Sequence, residues 1–166
     1  MIKKIFLGMV LLVTANAYAD NMLFRGNLII PSCKLKHDIQ VDWGDIEIQS
    51  LKEKNTSYHP KEVRIDLTCP YFYKTPKLKV IADRVENRAG IKTSKYNEGL
   101  VVFLSTKTGE EWINTNEYFN IPEQDITGEA EDKVVHLYAW LGRYNEITDL
   151  TPGEWNAIAS MEVRYE

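Results

Sequence analysis

The sequence GEWNAIASMEVRYE at residues 153–166 decides the fold of this chain. Beginning at Trp155, every second residue is apolar or small, and the residues between them are polar apart from Ile158. A period of two residues predicts a β-strand that buries one face. The residues of that face are Trp155, Ala157, Ala159, Met161, Val163 and Tyr165.

The chain ends at Glu166, directly after this strand, with no following turn and partner strand. We therefore expect the strand to lie at an edge of its sheet. An edge strand leaves backbone groups and apolar side chains open to pairing with another chain. The alternative is the closing strand of a complete sandwich, and the segment alone leaves both interpretations open.

Residues 1–19 have the pattern of a secretory signal peptide. Lys3 and Lys4 form a basic start, residues 5–13 are apolar, and Ala17-Tyr18-Ala19 is a small-x-small cleavage site. The apolar run is too short to span a membrane, and no second one follows. We expect cleavage before Asp20, export, and no insertion of the mature chain into a membrane.

The predicted mature chain holds 147 residues, which is enough for one domain with a buried core. It carries 18 basic against 24 acidic side chains, a formal charge of −6. An acidic balance argues against a nucleic-acid-binding surface. The sequence shows no internal repeat, linker or low-complexity tract, so we expect a single domain.

Cys33 and Cys69 are the only two cysteines, and both lie in the predicted exported part. An even pair in an oxidising compartment predicts a disulfide, here closing a loop of 35 intervening residues. Two thiols without neighbouring ligand residues make a poor zinc site.

A second alternating segment opens the predicted mature chain at residues 20–31. Its apolar face carries a glycine in the middle, and glycine inside a strand commonly marks the close approach of another backbone or bulky group. The residues of this face are Met22, Phe24, Gly26, Leu28 and Ile30.

Further short alternating runs, separated by turn signals, predict strands along the rest of the chain. Residues 122–132 could hold a short helical turn. The pattern is that of an all-β sandwich. The predicted strands lie at residues 41–48, 63–69, 78–80, 100–104, 135–141 and 155–165.

About six strands follow Cys33, whereas an immunoglobulin-type sandwich needs seven. Residues 20–30 could supply the seventh by folding back onto their own domain. Alternatively they serve a neighbouring copy, and this domain receives its seventh strand from elsewhere, which is donor-strand complementation.

Several segments resemble the pilin subunits of the bacterial chaperone–usher pathway, and among them the minor pilins of the P-pilus tip fibrillum. The resemblance is weak at residues 84–98 and 105–128, which we expect to be loops. The segments that carry it are residues 20–33, 41–51, 69–71, 99–104 and the C-terminal strand, with Gly153 fourteenth from the end and Tyr165 next to last.

The resemblance implies an incomplete immunoglobulin-like fold of six strands, with an N-terminal donor-strand extension at residues 20–31 and a pilin domain at 32–166. A groove beside the last strand would accept a strand from a periplasmic chaperone. At the outer-membrane usher, the extension of the next subunit would replace it. The carboxylate of Glu166 would anchor to a basic pair in the chaperone.

The same resemblance implies a role for each end of the chain. Met22, Phe24, Leu28 and Ile30 would enter the groove of the preceding subunit, with Gly26 at a position that admits no side chain. Residues 153–166 would form the wall of the acceptor groove. Cys33 and Cys69 would tie the first strand to the second.

The implied function is that of a structural minor subunit of an adhesive fimbrium, a tip-fibrillum or adaptor subunit, without enzymatic activity or cofactor. It would pass through the periplasm into the extracellular fibre and contact self or other minor pilins. The alternatives are a glycan- or receptor-binding adhesin, a chain-terminating or initiating adaptor, and a self-complete secreted domain or periplasmic enzyme.

Other chemical signals are weaker. His37, His59 and His136 are scattered, and none sits in a nucleophile motif. The acidic cluster at residues 42–47 lacks the spacing of an EF-hand loop. The aromatic row at residues 136–140 could bind a sugar, but such rows more often cover cross-strand neighbours or pack on an adjacent subunit.

Overall fold

The computed structural model describes residues 23–71, 74–85, 89–106 and 111–165. The predictions for the signal peptide at residues 1–19, for Met22 and for the carboxylate of Glu166 lie outside these residues. Within them, no helix is both long and apolar enough to cross a membrane.

The described residues form an antiparallel β-sandwich with four short 3₁₀ helices, at Ile48–Ser50, Tyr96–Glu98, Glu123–Asp125 and Ile147–Asp149. The strands are β1 (Lys34–Leu35), β2 (Thr56–Thr68), β3 (Lys77–Ala82), β4 (Ile91–Lys92), β5 (Leu100–Thr106), β6 (Tyr118–Asn120), β7 (Ile126–Thr127), β8 (Asp132–Arg143) and β9 (Ala159–Arg164).

Two sheets make up the sandwich. The larger has the strand order β1-β2-β8-β5-β4, with β7 paired to one end of β8. The smaller has the order β6-β3-β9, which places the last strand of the chain at its edge. Six of the nine strands in the described residues have three or more residues. Five of these six overlap predicted strands, whereas β6 lies in a segment that was expected to be a loop.

Alternation within the strands builds the core between the sheets. Ile65 and Leu67 of β2, Leu137 of β8 and Leu78 of β3 have no exposed surface. Burying such a side chain stabilises a fold by about 1.5–3 kcal/mol. These faces were predicted correctly, because a strand with one buried face alternates apolar and polar residues.

The predicted disulfide is present between Cys33 and Cys69, whose Cα atoms are 4.2 Å apart. It closes the end of the β1–β2 pair, in which Lys34 lies opposite Thr68. Both cysteines are buried.

The predicted strand at residues 41–48 is absent. Gly44 has a left-handed φ of +62°, and its N–H donates to Asp42 Oδ1 at 2.8 Å, which makes a turn. Residues Ile48–Ser50 then form a 3₁₀ helix. The side chains of Val41, Trp43 and Ile46 still pack against the core, so the apolar pattern is real although no strand pairs with this segment.

The last strand is shorter than predicted, since β9 begins at Ala159 and not at Trp155. Its neighbour β3 ends at Ala82, which lies opposite Ala159, so the residues before Ala159 have no strand to pair with. The segments expected to be loops, residues 84–98 and 105–128, also contain the short strands β4, β6 and β7. The helical turn expected within residues 122–132 is the 3₁₀ helix Glu123–Asp125.

Candidate functional site

The outer edge of β9 carries backbone groups that face away from β3, the one strand that pairs with β9 among the described residues. In β3, the carbonyl of Val80 accepts from the N–H of Asn116 at 2.6 Å, and the backbone N–H and C=O of Ala82 bond the side chain of Asn116. The backbone N–H and C=O groups of Val80 and Ala82 therefore point away from β9. Because backbone direction alternates along an antiparallel ladder, their partners Met161 and Ala159 turn their N–H and C=O toward the open edge.

Beside this edge lies a groove of about 2120 Å³. One wall is formed by residues 35–51, which follow β1, and the other by residues 150–161, which lead into β9. Apolar core side chains from both sheets reach its floor: Val63, Val80, Ile91, Leu100, Val102, Leu104, Ala139 and Leu141.

The predicted acceptor residues lie on one wall of this groove. Gly153, Trp155, Ala157, Ala159 and Met161 all line it. Ala157 and Ala159 are exposed although they belong to the apolar face of the segment, because they face the open groove. Of the other predicted residues, Val163 is buried and Tyr165 is half-buried, and neither lines the groove, while Glu166 lies outside the described residues.

Polar contacts fix the segment that precedes β9. Glu98 accepts from the Thr151 N–H at 2.7 Å and from its hydroxyl at 2.9 Å, and Lys95 Nζ donates to Glu98 at 3.1 Å. The Thr151 N–H and hydroxyl, followed by Lys95, lower the pKa of Glu98. Farther on, both the N–H and the C=O of Asn156 bond Ser94.

The opposite wall is held to β2. The indole N–H of Trp43 donates to the carbonyl of His59 at 2.7 Å. His59 has a left-handed φ of +50° and lies in the bulge that shifts the register between Tyr58 and Lys61. The Trp43 ring then meets the Trp155 ring across the groove, with centroids 5.5 Å apart.

Residues 23–30, the described part of the predicted donor segment, form no strand and do not pack on their own domain. Leu28 is fully exposed, Phe24 is 84 % exposed and Leu23 is 71 % exposed. No heavy atom lies within 4 Å of a Cβ built on Gly26. The possibility that this segment completes its own sandwich is therefore not realised in this structure.

The described residues do not have the geometry of a catalytic or metal-binding site. Ser50 Oγ lies 2.7 Å from His59 Nε2, but the hydroxyl also donates to the carbonyl of Glu47 at 2.7 Å. With its one proton committed there, Ser50 is an acceptor for the imidazole and is not activated by it. No group of three or more His, Cys, Asp or Glu in the described part of the chain could hold a metal ion.

The aromatic row of β8 packs on its own neighbours. The Trp140 ring meets Tyr138 and Trp112 at centroid distances of 6.3 and 6.1 Å, and its indole N–H donates to Ser105 Oγ at 2.9 Å. His136 bonds Glu62 of the paired strand at 2.8 Å. These contacts are the cross-strand packing that was the alternative to sugar binding.

A scan against families of known proteins matches residues 22–166 to a family described as "Fimbrial protein". The chain belongs to this family of fimbrial proteins. Among curated proteins it is 29 % identical over 165 residues to the fimbrial protein PrsE of Escherichia coli, covering 97 % of this chain and 94 % of that one.

Solved pilus structures share the fold. The P pilus rod subunit PapA matches with a TM-score of 0.65 and 17 % identity, over 81 % of this chain and 99 % of that one. A chain from a chaperone–usher pilus, solved to explain rod uncoiling, matches with a TM-score of 0.64 and 16 % identity, over 92 % and 99 %. The predicted family and the incomplete immunoglobulin-like pilin fold are thus confirmed.

The chain is accordingly a fimbrial protein with the fold of solved pilus subunits. Sequence reasoning missed the polar residues that position the groove, namely Ser94, Lys95, Glu98 and Asn116. They lie in segments without apolar periodicity, and single polar residues in such segments give no signal of the backbone groups that they bond.

Proposed function

We propose that this pilin is a structural minor subunit, of the tip-fibrillum or adaptor type, assembled by donor-strand complementation and exchange without catalysis or cofactor. The observation that carries the proposal is that one chain has both an open groove and an exposed apolar segment, each of which lacks a partner within the described residues. One is the groove beside β9, and the other is the exposed apolar segment at residues 23–30.

The groove has the chemistry of a strand acceptor. Met161 and Ala159 turn their backbone groups to the open edge, and apolar core residues such as Val102 and Leu141 reach the floor. Each apolar side chain left in water costs about 1.5–3 kcal/mol, and a backbone hydrogen bond that replaces bonds to water contributes about 0.5–1.5 kcal/mol. A donated strand both buries the apolar floor and pairs the open edge, whereas a small ligand would only bury the floor.

The N-terminal segment has the chemistry of a donor. Phe24, Leu28 and Ile30 lie on one face of residues 23–30 if the segment is extended, and together they present apolar side chains at every second or fourth position. Gly26 stands between them, so the backbone there approaches its partner without a Cβ. Met22 would extend the same face by one position.

The partners follow from the order of events in export. A chain with an open groove exposes its core in the periplasm, so a periplasmic chaperone would cover the groove until the outer-membrane usher brings in the next subunit. The wall from Gly153 to Tyr165 would contact the chaperone strand first, with the Glu166 carboxylate anchored in the chaperone, and the neighbouring pilin afterwards.

The tip-fibrillum or adaptor type is proposed from the resemblance of residues 20–33, of residues 41–51 and of the C-terminal strand to the minor pilins of a tip fibrillum. The similarity to the fimbrial protein PrsE, 29 % identity over nearly the whole length of both chains, is consistent with a fimbrial subunit of either kind.

A peptide-binding experiment tests the proposal. An oxidised variant that lacks residues 20–30 would be titrated with a synthetic peptide of residues 20–31 and followed by thermal unfolding. Ligand binding to the folded state raises the melting temperature in proportion to the logarithm of ligand concentration. A peptide with Phe24→Asp and Leu28→Asp is the matched control, because it has the same length and backbone without the apolar face.

A rise in melting temperature with the natural peptide and none with the control would support strand donation into the groove. If neither peptide shifts the transition at any concentration, the groove does not take up a donated strand and the proposal is wrong.

A further inference from the structure

The two walls of the groove meet in a contact between Trp43 and Trp155. Their ring centroids are 5.5 Å apart with the planes inclined at 45°. Trp43 belongs to the wall at residues 35–51 and Trp155 to the wall at residues 150–161. The contact therefore joins one wall of the groove to the other.

This contact and a donated strand compete for the same space. Neighbouring strands in a sheet lie about 4.8 Å apart, so a strand seated between two walls holds them about 9.6 Å apart. Two indole rings at a centroid distance of 5.5 Å leave no room for a donor backbone and an inward-pointing side chain between them. The rings have to separate before a donor can run the length of the groove.

The two rings are held very differently. Trp43 is fixed by the hydrogen bond from its indole N–H to the carbonyl of His59, in the bulge of β2. Trp155 lies ahead of β9, in a segment without strand pairing, and the backbone of its neighbour Asn156 is tied to Ser94. A rotation of the Trp155 side chain would therefore open the contact while the Asn156 backbone stays bonded to Ser94.

We infer that Trp43 and Trp155 form a clasp across the groove that has to open for strand insertion, so that it limits the rate of donor exchange. This inference rests on the proposed function, since it assumes that the groove accepts a strand. The contact also shields part of both aromatic rings from water. An aromatic pair contributes more to stability than its buried area alone.

The test measures the rate at which the predicted mature chain, residues 20–166, takes up a labelled peptide of residues 20–31. The chain would carry Phe24→Asp and Leu28→Asp in its own extension, so that its copies do not donate to one another. Trp43→Ala removes one ring of the clasp. Trp112→Ala is the matched control, because it removes an indole ring outside the groove.

We expect Trp43→Ala to speed peptide uptake about two- to tenfold, which corresponds to the usual strength of an aromatic pair. Trp112→Ala should leave the rate unchanged. Equal uptake rates in the parent chain and Trp43→Ala would overturn the clasp while leaving strand donation intact. Uptake by neither chain would overturn the clasp together with the proposed function.

A spectroscopic measurement on the chain with both rings present guards against misfolding of Trp43→Ala. Two indole rings in contact give a coupled pair of bands in circular dichroism, which Trp155→Phe identifies by its loss. The inference predicts that these bands disappear when the peptide binds. Their persistence at saturating peptide would show that the rings stay together beneath the donor strand, and the clasp would be refuted.

Discussion

The hydroxyl oxygen of Tyr165 lies 3.1 Å from the Sγ of Cys33, although 132 residues separate them in the chain. Cys33 is disulfide-bonded to Cys69 and has no thiol proton, so the tyrosine hydroxyl is the donor. The Tyr165 ring also meets the edge of Tyr71 at a centroid distance of 5.5 Å. The wall of the groove is thus fixed, just after β9, to the cross-link that joins β1 and β2.

Replacing Tyr165 by phenylalanine tests this attachment, since it keeps the ring and removes the hydroxyl. A typical intramolecular hydrogen bond contributes about 0.5–1.5 kcal/mol, and we expect a loss of that size in the free energy of unfolding. Urea denaturation measures it, with Tyr138→Phe on the outer face of β8 as the control. An unchanged unfolding free energy would mean that the hydroxyl contributes nothing to the attachment.

Removal of the disulfide should destabilise the fold strongly. In the loop-entropy account, the cross-link between Cys33 and Cys69 restricts an unfolded loop of 35 residues and contributes about 3–4 kcal/mol. The double replacement Cys33→Ala and Cys69→Ala should lower the free energy of unfolding by that amount. Reduction of the parent chain should give the same value. A loss below about 1 kcal/mol would contradict this account.

Acid should weaken the segment ahead of β9 through Glu98. The bonds from the Thr151 N–H and hydroxyl, and then Lys95, lower the pKa of Glu98 in the folded chain below its ordinary value of 4.5. A lowered folded pKa means that the unfolded chain takes up the proton first, so this stabilisation is complete above the ordinary pKa and is lost as pH falls through the folded pKa.

Glu98→Gln should therefore flatten the fall of unfolding free energy with pH below about 4.5. Denaturant titrations at several pH values measure the slope, and Glu154→Gln, an exposed carboxylate on the same wall, is the control. The role given to Glu98 would be wrong if the two variants showed the same slope as the parent chain.

Gly153 should not tolerate a side chain, and the reason is its backbone. Its φ of +135° is a conformation that L-residues rarely adopt, although a Cβ there would meet only the end of the Lys95 side chain, at an ordinary contact distance of 4.0 Å. We expect Gly153→Ala to cost about 1–3 kcal/mol of stability. Gly26→Ala is the counterpart, because Gly26 has no neighbour within 4 Å and its replacement should leave the stability of the domain unchanged. Denaturation of both variants side by side decides the point.

Gly26→Ala should instead weaken donation. Added to the variant that lacks residues 20–30, a peptide of residues 20–31 with this change should raise the melting temperature less than the natural peptide does. A peptide with Asn27→Ala is the control, since that residue lies on the other face of the predicted strand. Equal shifts from all three peptides would show that the glycine does not approach the acceptor closely.

The parts of the fold that the sequence predicted are those that have a partner within the chain. Val63, Ile65 and Leu67 in β2 and Val135 and Leu137 in β8 are buried on one face between two sheets, and one buried face produces strict alternation. The disulfide was predicted because two cysteines in an exported chain meet an oxidising compartment, where an even pair forms a disulfide.

The parts that could not be predicted lie around the groove. Residues 41–48 and 155–158 alternate like strands but form none, because a ladder needs a neighbouring strand and the described residues place none beside them. The left-handed φ of His59 and the bonds from Asn116 to Ala82 are each set by the local backbone conformation, which leaves no pattern in the sequence. The ring contact between Trp43 and Trp155 joins segments that are far apart in sequence, and no local pattern reports it.

The central claim is that this domain is incomplete and is completed by a donated strand. The most direct measurement compares melting curves of two oxidised variants, both lacking residues 20–30 at the N-terminus. One has no other change, and the other carries a copy of residues 20–30 after Glu166, joined by a short turn. The account predicts that the first is unstable or aggregates, while the second is monomeric and melts tens of degrees higher, about 4–8 °C for each kcal/mol gained in a small domain. Equally high melting temperatures for both variants would contradict it.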